Sequence, residues 1–331
     1  MLARPAGGTL PTGLATSNRK TRPVSRTFAA LAALLLVLPT LTQAQDRPPE
    51  SEGRLDGVPK GVVAEFELSN PKAYPGTHRK YSVYVPSQLR RGGEAALMVF
   101  LDGHSYEGEY GNFRVPIVFD NLIAAGDMPP TVAIMIDPGM KDGQLEDGKY
   151  PEKRGWNPTP QNRSVEYDTM SDVFVKFILD EVLPEVEKKL KKDKIRISDD
   201  PAMRAACGSS SGGICAFTMA WERPGQFGKV ISHIGSFTNI RGGHNYEALI
   251  RKEDPKPIRV ALQDGSGDLD NQFGNWWLAN LQMEKALAFK GYDHKTWWGE
   301  GGHSGEDGGK VFVDELRWLW RDWKDAQKDG K

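Results

Sequence analysis

Two stretches of this chain, "EAALMVFLDG" (Glu94–Gly103) and "TVAIMID" (Thr131–Asp137), run apolar at nearly every position and end in turn-forming residues. A strand with one wet face alternates. A continuous apolar run belongs to a strand covered on both faces, as in a parallel sheet. Parallel neighbours need a crossover, and "VPIVFDNLIAAGDMPP" between them has helical spacing and closes in Gly and Pro. The pattern continues: "PAMRAACG", "KVISHIGSF", "PIRVALQDG" and "HKTWWGEGG" read as strands, with "SGGICAFTMAWERPG", "NQFGNWWLANLQMEKALAFKGY" and "VFVDELRWLWRDW" as helices. Ahead of them "RKYSVYVP" alternates like a half-buried strand, and a polar loop runs from Pro138 to about Arg163. In the segment after that loop, Val173, Phe174, Phe177, Ile178 and Val182 share one helical face, and its Lys-rich end suits a helix C-terminus. The expectation is one α/β domain, a mostly parallel central sheet with helices on both faces, and no internal repeat.

The N-terminus follows different rules. Arg19, Lys20, Arg22 and Arg26 precede the apolar run Phe28–Leu41, and small and polar residues follow in "TQAQ". This order reads as a secretory signal over residues 1–45, cleaved near Ala44 or Gln45. The run is shorter than the roughly 20 residues of a membrane span, so no stable span is expected after cleavage. Residues 46–60 read as a flexible leader, and 61–328 as the single catalytic domain of a secreted or periplasmic protein. Removing residues 1–45 discards five positive charges and no negative ones, taking the net charge from −1 to −6. A mildly acidic surface excludes nucleic acid as a partner, because phosphate binding needs basic surface. The two cysteines, Cys207 and Cys215, flank one strand-to-helix turn and read as buried free thiols rather than a disulfide.

That turn carries the chemistry. Gly208-Ser209-Ser210-Ser211-Gly212 fits G-x-S-x-G between a strand and a helix, which nominates Ser210 as a nucleophile on a strained elbow. Ser209 has no assignable role; Ser211 enters through its backbone N–H, as a donor to the oxyanion. A serine hydroxyl needs a base, and the base needs an orienting carboxylate, in the order Ser, Asp or Glu, His. Of six histidines, His78 and His104 precede Ser210. His233 lies inside a strand, His244 in a loop, and His294 at the wrong end of the last strand. His303 follows that strand directly in "WGEGGHSGEDGG" and is the base. In "VALQDGSGDLD", Asp268 ends a turn at suitable reach and is preferred as the acid; Asp264, at the strand's end, suits a brace for the loop. The second oxyanion donor is expected from "LDGHSY", as the backbone N–H of His104. No cofactor is implied. The acidic stretch Asp142–Gly148 lacks the spacing of a calcium loop and reads as a polar turn.

The motifs "FLDG", "NRSVEYD", "GSSSGG", "QDGSGDLD" and "GEGGHSGEDGG" together resemble the esterase family of the α/β-hydrolase superfamily, in its enterochelin-esterase-like and feruloyl-esterase-like branch. The resemblance covers most of the chain from "YSVYVP" to "LRWLW". It implies an α/β-hydrolase fold and the triad Ser210, Asp268 and His303. It also implies that "NRSVEYD" brings Arg163, Glu166 or Tyr167 near the site, as braces for the helix start or as contacts to substrate. Tyr106, Trp156, Arg163 and Tyr167 are the substrate-binding candidates. The reading is a secreted serine carboxylesterase with an acyl-enzyme intermediate, acting on a small-molecule or polysaccharide-linked ester: a feruloyl or acetyl carbohydrate ester, or a siderophore-type ester. Acyl transfer on the same scaffold, and a non-catalytic binding protein with a hydrolase fold, are the alternatives.

Overall fold

The computed structural model describes residues 47–89, 93–156 and 159–324. The expected signal region, its cleavage point and the last residues of the expected domain lie outside them. The chain enters through the short helix α1 (Pro49–Glu52) and the hairpin of β1 (Val62–Ser69) and β2 (Thr77–Val85). Then come β3 (Glu94–Leu101), α2 (His104–Glu107), α3 (Val115–Ala125) and β4 (Thr131–Ile136). After β5 (Met140–Lys141) the long loop leads to α4 (Arg163–Tyr167), α5 (Val173–Phe177) and α6 (Leu183–Leu190). A widened π turn, Ile178–Val182, joins α5 to α6. β6 (Arg196–Ile197), β7 (Arg204–Ser209), α7 (Ser211–Glu222), β8 (Lys229–His233), α8 (Tyr246–Lys252) and β9 (Arg259–Gly265) follow. The small pair β10 (Asp270–Asn271) and β11 (Gly274–Asn275), then α9 (Trp276–Phe289), β12 (Asp293–Gly299) and α10 (Gly305–Leu319), complete the order.

The main sheet runs β1-β2-β4-β3-β7-β8-β9-β12. Every neighbour from β4 to β12 is parallel, while β1–β2 and β2–β4 are antiparallel. The sheet is thus mostly parallel, as its apolar runs imply. Successive side chains of β3 divide between two cores: Leu97, Val99 and Leu101 pack with the α5–α7 side, Ala96, Met98 and Phe100 with α3 and α10. Continuous apolar sequence is what a strand between two such cores requires. β1, its side chains largely exposed, was not anticipated. On α5 and the π turn, Phe174, Phe177, Ile178 and Val182 are buried as expected, but Val173, the first residue of α5, is 41% exposed.

Two features fix where a site can form. The chain leaves β3 toward β4 on one side and returns as β7 on the other, so the crossovers part above β3 and β7. Open α/β sheets bind ligands at such a switch point, beyond the carboxyl ends of the strands. Parallel register aligns those ends: Phe100 pairs with Cys207, Ser209 with His233, His233 with Gln263, and Gly265 with Gly299.

Residues 47–60, expected to be a flexible leader, are tied down instead. Arg54 Nε reaches Asp120 Oδ2 at 2.8 Å, and the Gly61 amide and Tyr84 hydroxyl donate to Asp120 Oδ1. Asn121 accepts from the Leu55 amide and donates to the Glu50 and Gly53 carbonyls. Both side chains are buried on α3 and need partners, which the incoming chain supplies.

The long loop is anchored by a fully buried ion pair. Arg79 Nη2 of β2 meets Glu166 Oε1 of α4 at 2.9 Å, and Asn162 Nδ2 and the Gly139 amide donate to the same oxygen. The guanidinium also lies 4.6 Å from the Phe177 ring centroid. Removing one partner of a buried pair leaves the other charge unpaired, which costs about 3–5 kcal/mol, whereas removing both costs less. Glu166→Ala is therefore expected to lower the calorimetric melting temperature by about 10 °C, with Arg79→Met/Glu166→Leu melting closer to wild type.

Candidate active site

The strand β7 is buried from Arg204 to Gly208, and after Ser209 the chain turns within one residue into α7. Ser210 makes the turn with φ 59° and ψ −121°, a conformation rare for a residue with a side chain. The turn closes only because its flanks have no Cβ. A methyl on Gly208 would stand 2.3 Å from the carbonyl carbon and oxygen of Gly212, and one on Gly213 would stand 2.7 Å from Ser232 Oγ. The strand ladder still reaches the turn, with the Ser210 amide donating to the His233 carbonyl at 2.9 Å. The hydroxyl is thereby held above the sheet edge, at the first turn of α7. The amides of Ser211 and Gly212 there have no carbonyl within the helix to take them.

His303 and Asp268 come to that hydroxyl from the loops after β12 and β9. His303 Nε2 lies 2.8 Å from Ser210 Oγ, and its Nδ1 lies 2.5 Å from Asp268 Oδ1. Glycines let the two loops touch: the Gly267 amide donates to the Gly301 carbonyl, and a Cβ on Gly265 would stand 2.2 Å from Gly301 O. Burial alone would raise the Asp268 carboxyl. Hydrogen bonds with His303, with Asp264 and from the Leu269 amide outweigh it and hold the group below the usual carboxylate range. Such a line of hydroxyl, imidazole and ionised carboxylate can move a proton off the serine and stabilise the imidazolium formed.

Residues 73–319 match the sequence family described as "Putative esterase". The chain belongs to that esterase family. It is thus a member of a family of hydrolases of ester bonds. No curated protein matches its sequence. Among solved structures, the enterobactin esterase of Shigella flexneri in the presence of 2,3-di-hydroxy-N-benzoyl-serine is similar at 19% identity and a TM-score of 0.61, over 83% of this chain and 63% of that one. The ferulic acid esterase of the anaerobic fungus Anaeromyces mucronatus is similar at 16% identity and a TM-score of 0.59, over 82% of this chain and 94% of that one. The chain spans less than two thirds of the length of the enterobactin esterases. At these identities the likeness carries the α/β-hydrolase fold alone.

Several candidates of this esterase chain sit elsewhere than the sequence implied. The His104 amide, expected at the oxyanion, donates to Asp137 Oδ1 at 3.0 Å, and the His104 ring Nδ1 lies 2.9 Å from the same oxygen. Asp137 closes β4 beside β3, so its carboxylate captures the first amide of α2. The other amides of the loop are also engaged, Gly103 with the Ile136 carbonyl and Ser105 with that of Asp102. Tyr106 and Tyr167, expected to bind substrate, are fully buried and cannot touch one. Tyr106 OH lies 3.0 Å from Ser209 Oγ, which gives Ser209 a bracing partner that sequence did not supply. The Tyr167 hydroxyl accepts from the Asp102 amide.

Arg163 forks onto Asp102, Nε to Oδ1 at 2.9 Å and Nη2 to Oδ2 at 2.7 Å, and stacks on Trp156. Trp156 itself is 45% exposed and sets its ring edge-on to His104. These two remain where a substrate could reach them. Sequence reasoning missed Ser236, whose Oγ lies 3.2 Å from Ser210 Oγ and accepts the Trp276 indole N–H at 3.0 Å. The available signal was a small polar residue just beyond β8, in "HIGSF". Trp276 also packs edge-on against His303, with ring centroids 5.7 Å apart. Cys207 and Cys215 are buried free thiols.

The elbow makes a direct prediction. Gly208→Ala forces a methyl into backbone that cannot yield, and is expected to cost more than the roughly 1–3 kcal/mol of ordinary overpacking. Gly225→Ala, where a Cβ meets nothing within 4 Å, is the control. Soluble yield and thermal melting should fall sharply for the first variant and stay near wild type for the second.

Proposed function

We propose that this chain is an exported serine carboxylesterase that works through an acyl-enzyme on Ser210. The observation that carries the reading is the unbroken line from Ser210 Oγ through His303 to Asp268, at 2.8 and 2.5 Å. His303 Nε2 accepts the Ser210 proton as Oγ attacks the ester carbonyl. The oxyanion is held at the first turn of α7, where the Ser211 and Gly212 amides and the positive end of the helix dipole stabilise developing negative charge. His303 then gives its proton to the leaving alcohol oxygen, leaving the acyl group on Ser210. A water molecule, deprotonated by His303, attacks that acyl group, and the carboxylic acid departs as the serine regains its hydrogen. Asp268, kept ionised, fixes the imidazole tautomer throughout.

The substrate we favour is an ester with an aromatic acyl group, of feruloyl or catecholate type, free or linked to a carbohydrate. Its support is the half-exposed Trp156, stacked on Arg163. The solved esterases of similar fold, an enterobactin esterase and a ferulic acid esterase, point the same way. Export rests on the basic, apolar and small segments of residues 1–45. Among the described residues, no helix is long and apolar enough to cross a membrane.

Hydrolysis of methyl ferulate, a catecholate trilactone, p-nitrophenyl acetate and acetyl-xylan, followed beside Ser210→Ala, tests the reading. The variant should lose at least about a thousandfold in kcat/KM on the best substrate. The aromatic esters should be cleaved with the higher kcat/KM. Full activity in the variant contradicts the nucleophile, and a preference for acetyl-xylan contradicts the substrate class.

A further inference from the structure

Asp268 carries one puzzle that the triad does not resolve. Its Oδ1 meets His303 Nδ1 and the Leu269 amide, both at 2.5 Å, whereas its Oδ2 is buried and receives no N–H from any described residue. The other side chain in hydrogen-bonding contact with Asp268, besides His303, is another carboxyl. Asp264, the last but one residue of β9 and fully buried, lies within hydrogen-bond reach of the Asp268 side chain. Two carboxylates cannot share a buried contact while both are ionised, so a proton must lie between them.

The surroundings decide which carboxyl holds it. Asp268 faces the imidazole, the one group of the site that becomes a cation. Asp264 receives the Gly265 amide at 2.7 Å on Oδ1 and Asn280 Nδ2 at 2.8 Å on Oδ2, both neutral donors, and no cation. Asn280 is fixed in turn by the carbonyls of Gly235 and Trp276. The residue paired with Asp264 across β12 is the neutral Trp298. The charged groups near the pair are therefore Asp268 and His303, with Asp307 of α10 over Gly301 in the adjoining loop.

We infer that Asp264 is a neutral carboxylic acid that donates its hydrogen to Asp268 Oδ2, a positioning residue that holds the triad carboxylate for His303. This rests on the triad reading above. Burial, then the hydrogen bond and charge of Asp268, push the Asp264 carboxyl up to about 8. The proton is thus present at pH 7 and is lost as pH rises through that value. Loss replaces a donor by a second anion, which repels Asp268 from its place.

The test compares Asp264→Ala, Asp264→Asn and Ser210→Ala with wild type, measuring kcat and KM on the best ester from pH 6 to about pH 10, either side of that value. Thermal melts check folding. Asp264→Ala should lose about tenfold in kcat at pH 7 with little change in KM, the effect of one lost hydrogen bond to a charged group. Asp264→Asn carries an amide donor and no titratable proton. It should recover much of that loss and lack the decline that wild type shows above about pH 8. An unchanged kcat in Asp264→Ala, or an alkaline decline retained in Asp264→Asn, overturns the inference. If Asp264→Ala fails to fold, the pH profile of Asp264→Asn decides alone. Inactive Ser210→Ala beside wild-type-like Asp264 variants sinks only this inference, whereas active Ser210→Ala sinks the triad reading itself.

Discussion

The reactive edge of this molecule depends on the approach of Gly208 to Gly212, two backbones in contact where any side chain would overlap. That contact lets a buried strand turn into a helix within one residue. It holds Ser210 at a φ of 59°, where the hydroxyl stands clear of the sheet. The strain is sustained by what surrounds it: the Ser210 amide is still in the β8 ladder, and its carbonyl accepts from Gly213, Ile214 and Ser236. In the mechanism we propose, a serine so fixed needs little reorganisation when it reacts, and that is where such a site gains rate.

Charge is organised around this turn in pairs. Asp102 is forked by Arg163, Asp137 is held by Arg154 and His104, Glu166 by Arg79, and His233 meets Glu315 in the core. Each pair ties a strand end, loop or helix to its neighbour. Asp264 and Asp268 depart from this pattern, two acids placed together. A shared proton makes them compatible, and the same proton links the strand end of β9 to the orientation of the base.

Much of the architecture was legible in the sequence because burial on both faces leaves an unmistakable run, as in β3 and β4. The G-x-S-x-G spacing and the order of Asp268 and His303 were legible for a related reason, since each follows a strand whose end the pattern locates. What escaped depended on contacts between distant residues. β1 is a wet edge strand with no apolar run to announce it. The His104 amide looked free because Asp137, which takes it, belongs to another strand. Tyr106 and Tyr167 carry hydroxyls that sequence reads as surface chemistry, yet each finds its partner inside the fold. Ser236 and Trp276 come together beside Ser210 only because the loop after β8 meets the first turn of α9.

The central claim is that an acyl group passes through Ser210. The most direct measurement is to quench the protein in acid during turnover of a slowly hydrolysed aromatic ester and to map the adduct by peptide mass spectrometry. The account predicts the acyl mass on the peptide containing Ser210, gone once the substrate is exhausted. An acyl group on another residue, or turnover that leaves no adduct under conditions where acylation outpaces hydrolysis, would contradict it.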